Sequence, residues 1–495
     1  MGLLSCHEMR ELERRAFRKG ISAESLMDKA GKRLGEALVD LYSGPGTAVA
    51  YVGKGNNGGD ALVALRVLRS AGWKVVVRSA FQPLEFGALP RQKLRELGDI
   101  EVQRDRWELE MNPGPLLLLD GLLGIGANGA LRDPISALAA EMNALRESGG
   151  AEIVAIDVPS GVNADDGRVE DGAVQADLTA TIAVPKKGLV AESALMHVGR
   201  IEVIALEELP DSGSGDELTT GPKLRGLFPP RDYGTHKGEA GRVGVVAGSR
   251  GMLGAGCLAA LGALRGGAGL VTLYVLEEDY PFMISTALPP EVMVKALSNY
   301  DEVMDVPHAA LVIGPGLNGS GKLEKTGLLN LLESCRMPMV VDAEALNLIS
   351  AMGLSGRIKS HMVLTPHPGE MSRMFPAAEE LSRAECARAF VKLHPCTLLY
   401  KGARTIVTSS GQDLHYNVTG NPGMASGGQG DVLSGVLGAL LARGLSGLDA
   451  ARSAAWLAGR ASEIALKKHQ SPESLVASDT ARALGGAFRA LRRGR

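Results

Sequence analysis

Aromatic residues are scarce in this chain, at 4% of 495 residues, and neither sign of charge dominates. The formal net charge is -3, with an isoelectric point near 6.4. So even a balance leaves no electrostatic footprint for nucleic acid or an anionic membrane. The five cysteines, Cys6, Cys257, Cys335, Cys386 and Cys396, make an odd count with no C-x-x-C spacing. That argues against a disulfide framework or a zinc site and for reduced thiols. Long apolar runs are also missing. The stretch 252–276 is broken by Arg265 and by glycines, which rules it out as a membrane span. Glu8, Arg10, Glu11, Glu13 and Arg14 crowd the start of the chain, so no secretory core is expected there. Gly2 sits as in an acylation site, but Cys6 stands where Ser or Thr is wanted. A soluble cytoplasmic protein is the expectation.

Glycine, by contrast, is abundant at 64 residues, without a collagen period or a low-complexity run. That suits α/β folds with many tight strand-to-helix turns. The length suffices for two large domains. Residues 7–42 read as helical, with Met27, Ala30, Leu34, Ala37, Leu38 and Leu41 on one face and Ser22 as an N-cap. Strand-like runs follow at 48–52, 74–78, 116–119, 153–156, 179–184 and 201–204, with helical segments such as 60–71 and 134–145 between them. Several runs are apolar throughout, as in a parallel sheet buried on both faces. The acidic, apolar-poor segment 207–217 marks a boundary. We therefore expect one domain over 1–210, a linker over 211–222 and a second domain over 223–495. A second alternating set runs through 243–247, 270–275, 310–313, 339–341, 362–365, 397–400, 405–408 and 414–416. A hairpin around 409–413 closes one edge.

In an open parallel sheet, ligands collect beyond the carboxyl ends of the strands. Three features of the first half lie there. Segment 53–60, Gly-Lys-Gly-Asn-Asn-Gly-Gly-Asp, follows a strand and makes a bed of backbone N–H groups beside an acid. It matches G-x-G-x-x-G, but the next strand ends Arg78-Ser79-Ala80 and lacks the acid that would hold an adenosine ribose. A phosphate bed fits better than a nicotinamide dehydrogenase. Asp120 ends the run 116–119, and Asp157 ends 153–156 just before Val158-Pro-Ser160-Gly. Either aspartate alone reads equally well as a helix cap. Together with Asn56, Asn57 and Ser160, they form an oxygen-rich set suited to a hard, loosely held cation.

These three motifs, with Gly-Leu-Leu-Gly-Ile-Gly after Asp120, resemble the N-terminal domain of the NAD(P)H-hydrate repair proteins. The resemblance implies a Rossmann-like epimerase acting at C6 of the hydrated nicotinamide ring. It implies potassium at Asn57, Asp120 and Ser160. Substrate would contact Asn56, Asn57, Gly58, Gly59 and Asp60, the loop Gly124, Ile125, Gly126, Ala127, Asn128, Gly129 and Ala130, and Asp157. Asp157 is the proton-transfer candidate. Lys186 is an alternative assistant, although a solvated surface lysine is the preferred reading of it. Ala61 stands where the family usually has Gly.

The second half is richer. Strand ends carry Gly314-Pro-Gly316-Leu-Asn318, Asp342-Ala-Glu344, Thr365-Pro-His367-Pro-Gly-Glu370 and Lys401-Gly-Ala-Arg-Thr405. Segment 421–431 then brings Gly427, Gly428 and Gly430 before Asp431 and an apolar helix. Glycines let amides approach a phosphoryl oxygen, the helix adds its positive end, and an acid in the first turn takes a proton from an attacking hydroxyl. The ordered motifs resemble a ribokinase-like domain, the dehydratase half of the same repair family. The resemblance implies substrate contacts at Ala255, Gly316, His367 and Asp431. Nucleotide contacts fall at Lys401, Gly402, Ala403, Arg404, Thr405 and Gly430. Gln429 stands where Thr is frequent. Magnesium held through water by acids such as Asp342 and Glu344, ADP as phosphoryl donor, and Asp431 as catalytic base complete the expectation. The partners are small molecules, with neither nucleic acid nor membrane, in a homo-oligomer of unspecified size. The rival readings are a ribokinase-superfamily small-molecule kinase and a first domain that only binds.

Overall fold

Alternate residues of the run Thr47–Val52 point to opposite faces of one sheet, and all are buried. Ala48 and Ala50 meet Leu34, Leu38, Leu62 and Leu65 on one side. Val49 and Tyr51 meet Leu138, Ala139 and Met142 on the other. In the computed structural model this is the centre of the first of two units, Met1–Gly215 and Asp216–Arg495. The structure describes residues 1–42, 44–104, 114–210, 215–286, 288–319, 322–468 and 471–493.

The first unit holds β1 (Thr47–Val52), β2 (Lys74–Arg78), β3 (Val102–Gln103), β4 (Leu116–Gly121), β5 (Glu152–Ile156), β6 (Leu178–Ile182) and β7 (Arg200–Ile204). They pair in the order β3-β2-β1-β4-β5-β6-β7, all in parallel. The order reverses beside β1, and the crevice at such a point is where α/β sheets bind ligands. The register sets Tyr51 opposite Asp120, so both strands end together. Gly59 lets the helix Asn56–Ser70 close on the helix Ala23–Leu41, since a Cβ there would lie 2.5 Å from Met27 Sδ.

The second unit holds β8 (Glu217–Thr219), β9 (Arg242–Val246), β10 (Leu270–Leu276), β11 (Val292–Leu297), β12 (Ala310–Ile313), β13 (Met339–Val341), β14 (Met362–Leu364), β15 (Thr397–Tyr400), β16 (Ile406–Ser409) and β17 (His415–Asn417). The order is β11-β10-β9-β12-β13-β14-β15-β16-β17-β8. Antiparallel pairing of β15 with β16 and of β16 with β17 makes the expected hairpin, but it does not close the sheet: β8 lies beyond it, parallel to β17, as the edge strand. The helices Leu253–Arg265 and Gln429–Ala442 pack almost backbone to backbone. A Cβ at Gly435 would lie 2.0 Å from the Ala259 carbonyl oxygen. That closeness fixes the amino end of Gln429–Ala442 over the strand ends.

Of the segment read as a linker, 211–214 lie outside the described residues. Glu217–Thr219 is an edge strand, and Gly221–Leu224 is a short helix of the second unit. Among the described residues, no helix is long and apolar enough to cross a membrane.

Candidate active sites

In the first unit, Asp120 sits at the end of β4 with no solvent exposure. Its Oδ2 accepts from the Ser160 N–H at 2.7 Å, and its Oδ1 from the Ser160 hydroxyl at 2.7 Å and the Leu122 N–H at 3.2 Å. Asp120 is therefore not a helix cap. Burial pushes its carboxyl up to about 6, against the pull of those hydrogen bonds. No Lys or Arg of the described residues pairs with it. Asn57, also buried, donates from Nδ2 to the Leu123 carbonyl at 2.6 Å. The structure thus gathers Asn57, Asp120 and Ser160 around one buried spot. Beside it, Gly124, Ala127, Asn128 and Gly129 share a shallow cleft with Ser160 and Gly161.

Asp157 ends β5 with φ 67, a left-handed conformation that costs a non-glycine residue about 1–3 kcal/mol. Its Oδ1 accepts from the Ile182 N–H at 3.0 Å and from Lys186 Nζ. Here the reading of Lys186 as a solvated lysine is corrected. Its side chain is 1% exposed, and Nζ also donates to the Ile182 carbonyl at 2.9 Å. The residue follows a strand end in Val-Pro-Lys, and nothing local marks it as buried. The pairing with Asp157 spans 29 positions of sequence. Asp60 and Glu13 complete the cluster. The carboxyl of Asp60 is raised well above its usual range by burial, then by Asp157 and Glu13. That of Glu13 is raised by burial and by Asp157. Glu13, on the helix Cys6–Arg18, was not among the sequence candidates. It stands where an ordinary amphipathic helix would carry an acid.

In the second unit, Gly316 and Ala255 adjoin: a Cβ on Gly316 would lie 2.8 Å from that of Ala255. His367 caps the helix Pro368–Met374, its Nδ1 accepting from the N–H groups of Gly369 and Glu370 at 3.0 and 3.3 Å. That bonding places the ring proton of the neutral tautomer on Nε2. Nε2 lies 3.5 Å from Glu370 Oε1, on a half-exposed ring. Lys401, at the end of β15, donates from Nζ to Asp342 Oδ1 at 2.7 Å and lies 3.7 Å from Glu370 Oε2. Burial works against its charge, but Asp342, Glu370 and Asp431 outweigh it and raise its pKa. The other oxygen of Asp342 accepts from the buried Ser434 hydroxyl at 2.6 Å. Asp342 therefore ties the strand ends to the helix that carries Asp431.

Asp431 lies in the first turn of Gln429–Ala442. Burial, and then the Asp342 charge, push its carboxyl up to about 6, while Lys401 pulls the other way. Gly430 faces the same groups, its missing Cβ 3.5 Å from Lys401 Nζ. Arg404 has φ 55, and burial lowers its guanidinium to about 10. The Thr405 hydroxyl donates to the Gly402 carbonyl at 2.9 Å. Glu344 is held by Asn347 Nδ2 at 2.9 Å. Among the described residues, no group of His, Cys, Asp and Glu converges as a metal cage. That is compatible with magnesium, which usually arrives with phosphates and keeps several waters.

Comparison with known proteins matches each unit separately. The family model described as NAD(P)H-hydrate dehydratase covers residues 243–483. The one described as YjeF-related protein N-terminus covers 23–188. The bifunctional NAD(P)H-hydrate repair enzyme of Coxiella burnetii is 35% identical over 476 residues, covering 93% of this chain and 94% of the relative. That of Escherichia coli K12 is 34% identical over 457 residues, covering 90% and 86%. A solved ribokinase-like superfamily protein from Enterococcus faecalis covers 56% of this chain and 97% of its own, at 23% identity and a TM-score of 0.50, which bears on the fold of the second unit. Similarity running through both units and nearly the whole length of these relatives shows that the chain belongs to the family of bifunctional NAD(P)H-hydrate repair enzymes.

Proposed function

We propose that the first unit interconverts the R and S hydrates of NADH and NADPH, and that the second dehydrates the S hydrate at the expense of ADP. The observation that carries the dehydratase reading is the meeting of Asp431, Gly430, Lys401 and Asp342 at one helix end. A carboxylate with its pKa near 6 is ionised at neutral pH yet basic enough to take a proton. Asp431 accepts the proton of the C6 hydroxyl as that oxygen attacks the terminal phosphorus of ADP, and AMP leaves. The ring-nitrogen lone pair then expels phosphate from C6. A proton departs from C5, and the reduced dinucleotide reforms. Hydroxide is a poor leaving group; phosphate is a good one. The amides at 427–430 and Lys401 Nζ stabilise the charge on the transferring group. Magnesium, held mainly by the nucleotide phosphates, supplies further charge neutralisation when bound.

In the first unit, C6 bears both a hydroxyl and the ring nitrogen, so it is a carbinolamine. Asp157 takes the hydroxyl proton as the C6–N bond opens to an aldehyde, and returns it to the released nitrogen. Closure on the opposite face inverts the centre. Asn57, Asp120 and Ser160 would hold potassium, whose charge would offset the buried, cation-free Asp120. The binding can be read without turnover. The melting temperature of the first unit should rise with KCl but not with an equal concentration of LiCl, and Asp120→Asn should remove the difference. Equal responses to both salts would remove potassium from the site.

The whole reading is tested by incubating the protein with separated R and S hydrates, magnesium, and ADP or ATP. Recovery of the reduced-ring absorbance with ADP, together with AMP and phosphate, is expected from both epimers. A persistent phosphorylated product would mark a kinase of the same superfamily instead.

A further inference from the structure

We infer that Arg383 is the positioning residue that turns the amide side of the 401–405 loop toward a nucleoside diphosphate. This rests on the reading of that loop as nucleotide-binding. Arg383 opens the helix Arg383–Leu393, whose start is fixed by a capping box between Ser382 and Glu385. Its guanidinium stacks on the Tyr400 ring, 4.9 Å from the centroid. The same group donates to the carbonyl oxygens of Tyr400 at 3.0 Å, Lys401 at 3.1 Å and Ala403 at 2.9 Å. One rigid fork thus gathers the carbonyls of the loop onto one side.

In a trans peptide, the carbonyl and the following N–H point in opposite directions. The N–H groups of Lys401, Gly402 and Arg404 therefore face away from Arg383. That of Lys401 donates to the Pro366 carbonyl at 2.8 Å, on the neighbouring strand end, whereas that of Gly402 has no acceptor among the described residues. An exposed amide at the residue after Lys401 suits a phosphate oxygen. Gly402, at φ 145, is part of the device, since a Cβ there would stand 3.0 Å from the guanidinium carbon. Arg383 lies 18 positions from Lys401 and on another element, beyond the reach of any local motif.

The test uses the full chain carrying Arg383→Lys or Arg383→Met. Lysine keeps the charge but cannot span three carbonyls. Both variants are expected to raise KM for ADP about tenfold, with kcat changed far less, as the loss of one or two charged hydrogen bonds implies. The ADP-induced rise in melting temperature should shrink in parallel, and R-to-S epimerisation should be untouched. Gly402→Ala, with Arg383 intact, should raise the same KM by displacing the guanidinium. An unchanged KM in all three variants overturns the inference, as does a fall in kcat or stability with ADP affinity intact. Should the unsubstituted protein show no ADP-induced stabilisation, the nucleotide reading itself fails, independently of Arg383.

Discussion

Asp431→Asn is expected to slow dehydration of the S hydrate by about 10³-fold, the range general-base loss gives, and to leave epimerisation of the R hydrate at full rate. Asparagine preserves the shape of the helix start, so the amides of 427–430 keep their places and KM for ADP should hardly move. Only the proton acceptor is removed. An interaction needed in the transition state alone shows itself as a loss in kcat and kcat/KM together. Asp431 has its pKa pushed up to about 6 by burial and by Asp342. In the unsubstituted enzyme, kcat/KM should therefore rise with pH through about 6 and then level off, since the basic form is the active one. The variant's residual activity should lack that limb. Stability should move the other way. A carboxyl with a raised folded-state pKa holds its proton more tightly folded than unfolded, so the protein loses stability as pH climbs from the usual carboxylate range to about 6. Asp431→Asn, which never ionises, should melt no lower than the unsubstituted protein at neutral pH. Full activity in the variant, or a fall in activity matched by a fall in melting temperature, would remove Asp431 from the role of base.

The central strands of both sheets were legible because they carry strong local signals, whereas the edge strand Val292–Leu297 was not read. The run 48–52 is apolar end to end, and the residues after it change abruptly to glycine and asparagine. The strand-end positions of Asp120, Asp157 and Asp342 were legible for the same reason, since polarity after a buried run marks where a strand ends. Short edge strands were not legible. Glu217–Thr219 has too few residues for a period, and it sits in acidic, glycine-rich surroundings. It joins the sheet through pairing with His415–Asn417, nearly two hundred positions away. Glu217 anchors it to Lys223 and His415, contacts that no composition rule reveals. The burial of Lys186 and the place of Glu13 in the cluster escaped for a related reason. A charged residue is read as solvated unless its neighbours are known; here Asp157, at a distant strand end, pairs with Lys186 and repels Glu13.

The buried Asp157–Lys186 pair carries the second large expectation. Asp157→Asn and Lys186→Met should each cut conversion of the R hydrate by about 10²-fold or more. Dehydration of supplied S hydrate should stay at full rate. Asparagine is the informative replacement at Asp157, because it tolerates the left-handed backbone found there and keeps the end of β5 in place. It cannot take the hydroxyl proton. Lys186→Met separates catalysis from packing. Methionine fills much the same buried volume, but Asp157 then faces Asp60 and Glu13 without a countercharge. Removing one partner of a buried ion pair costs about 3–5 kcal/mol, so the melting temperature of this variant should fall as well. The two readouts must therefore be compared. If Lys186→Met lowers stability yet turns over R hydrate normally, the lysine is a structural counterion and Asp157 works without it. If both variants lose turnover while only the lysine variant loses stability, the pair acts as a unit. The strained φ of Asp157 then finds its reason in holding that carboxylate against Lys186 at the mouth of the strand ends.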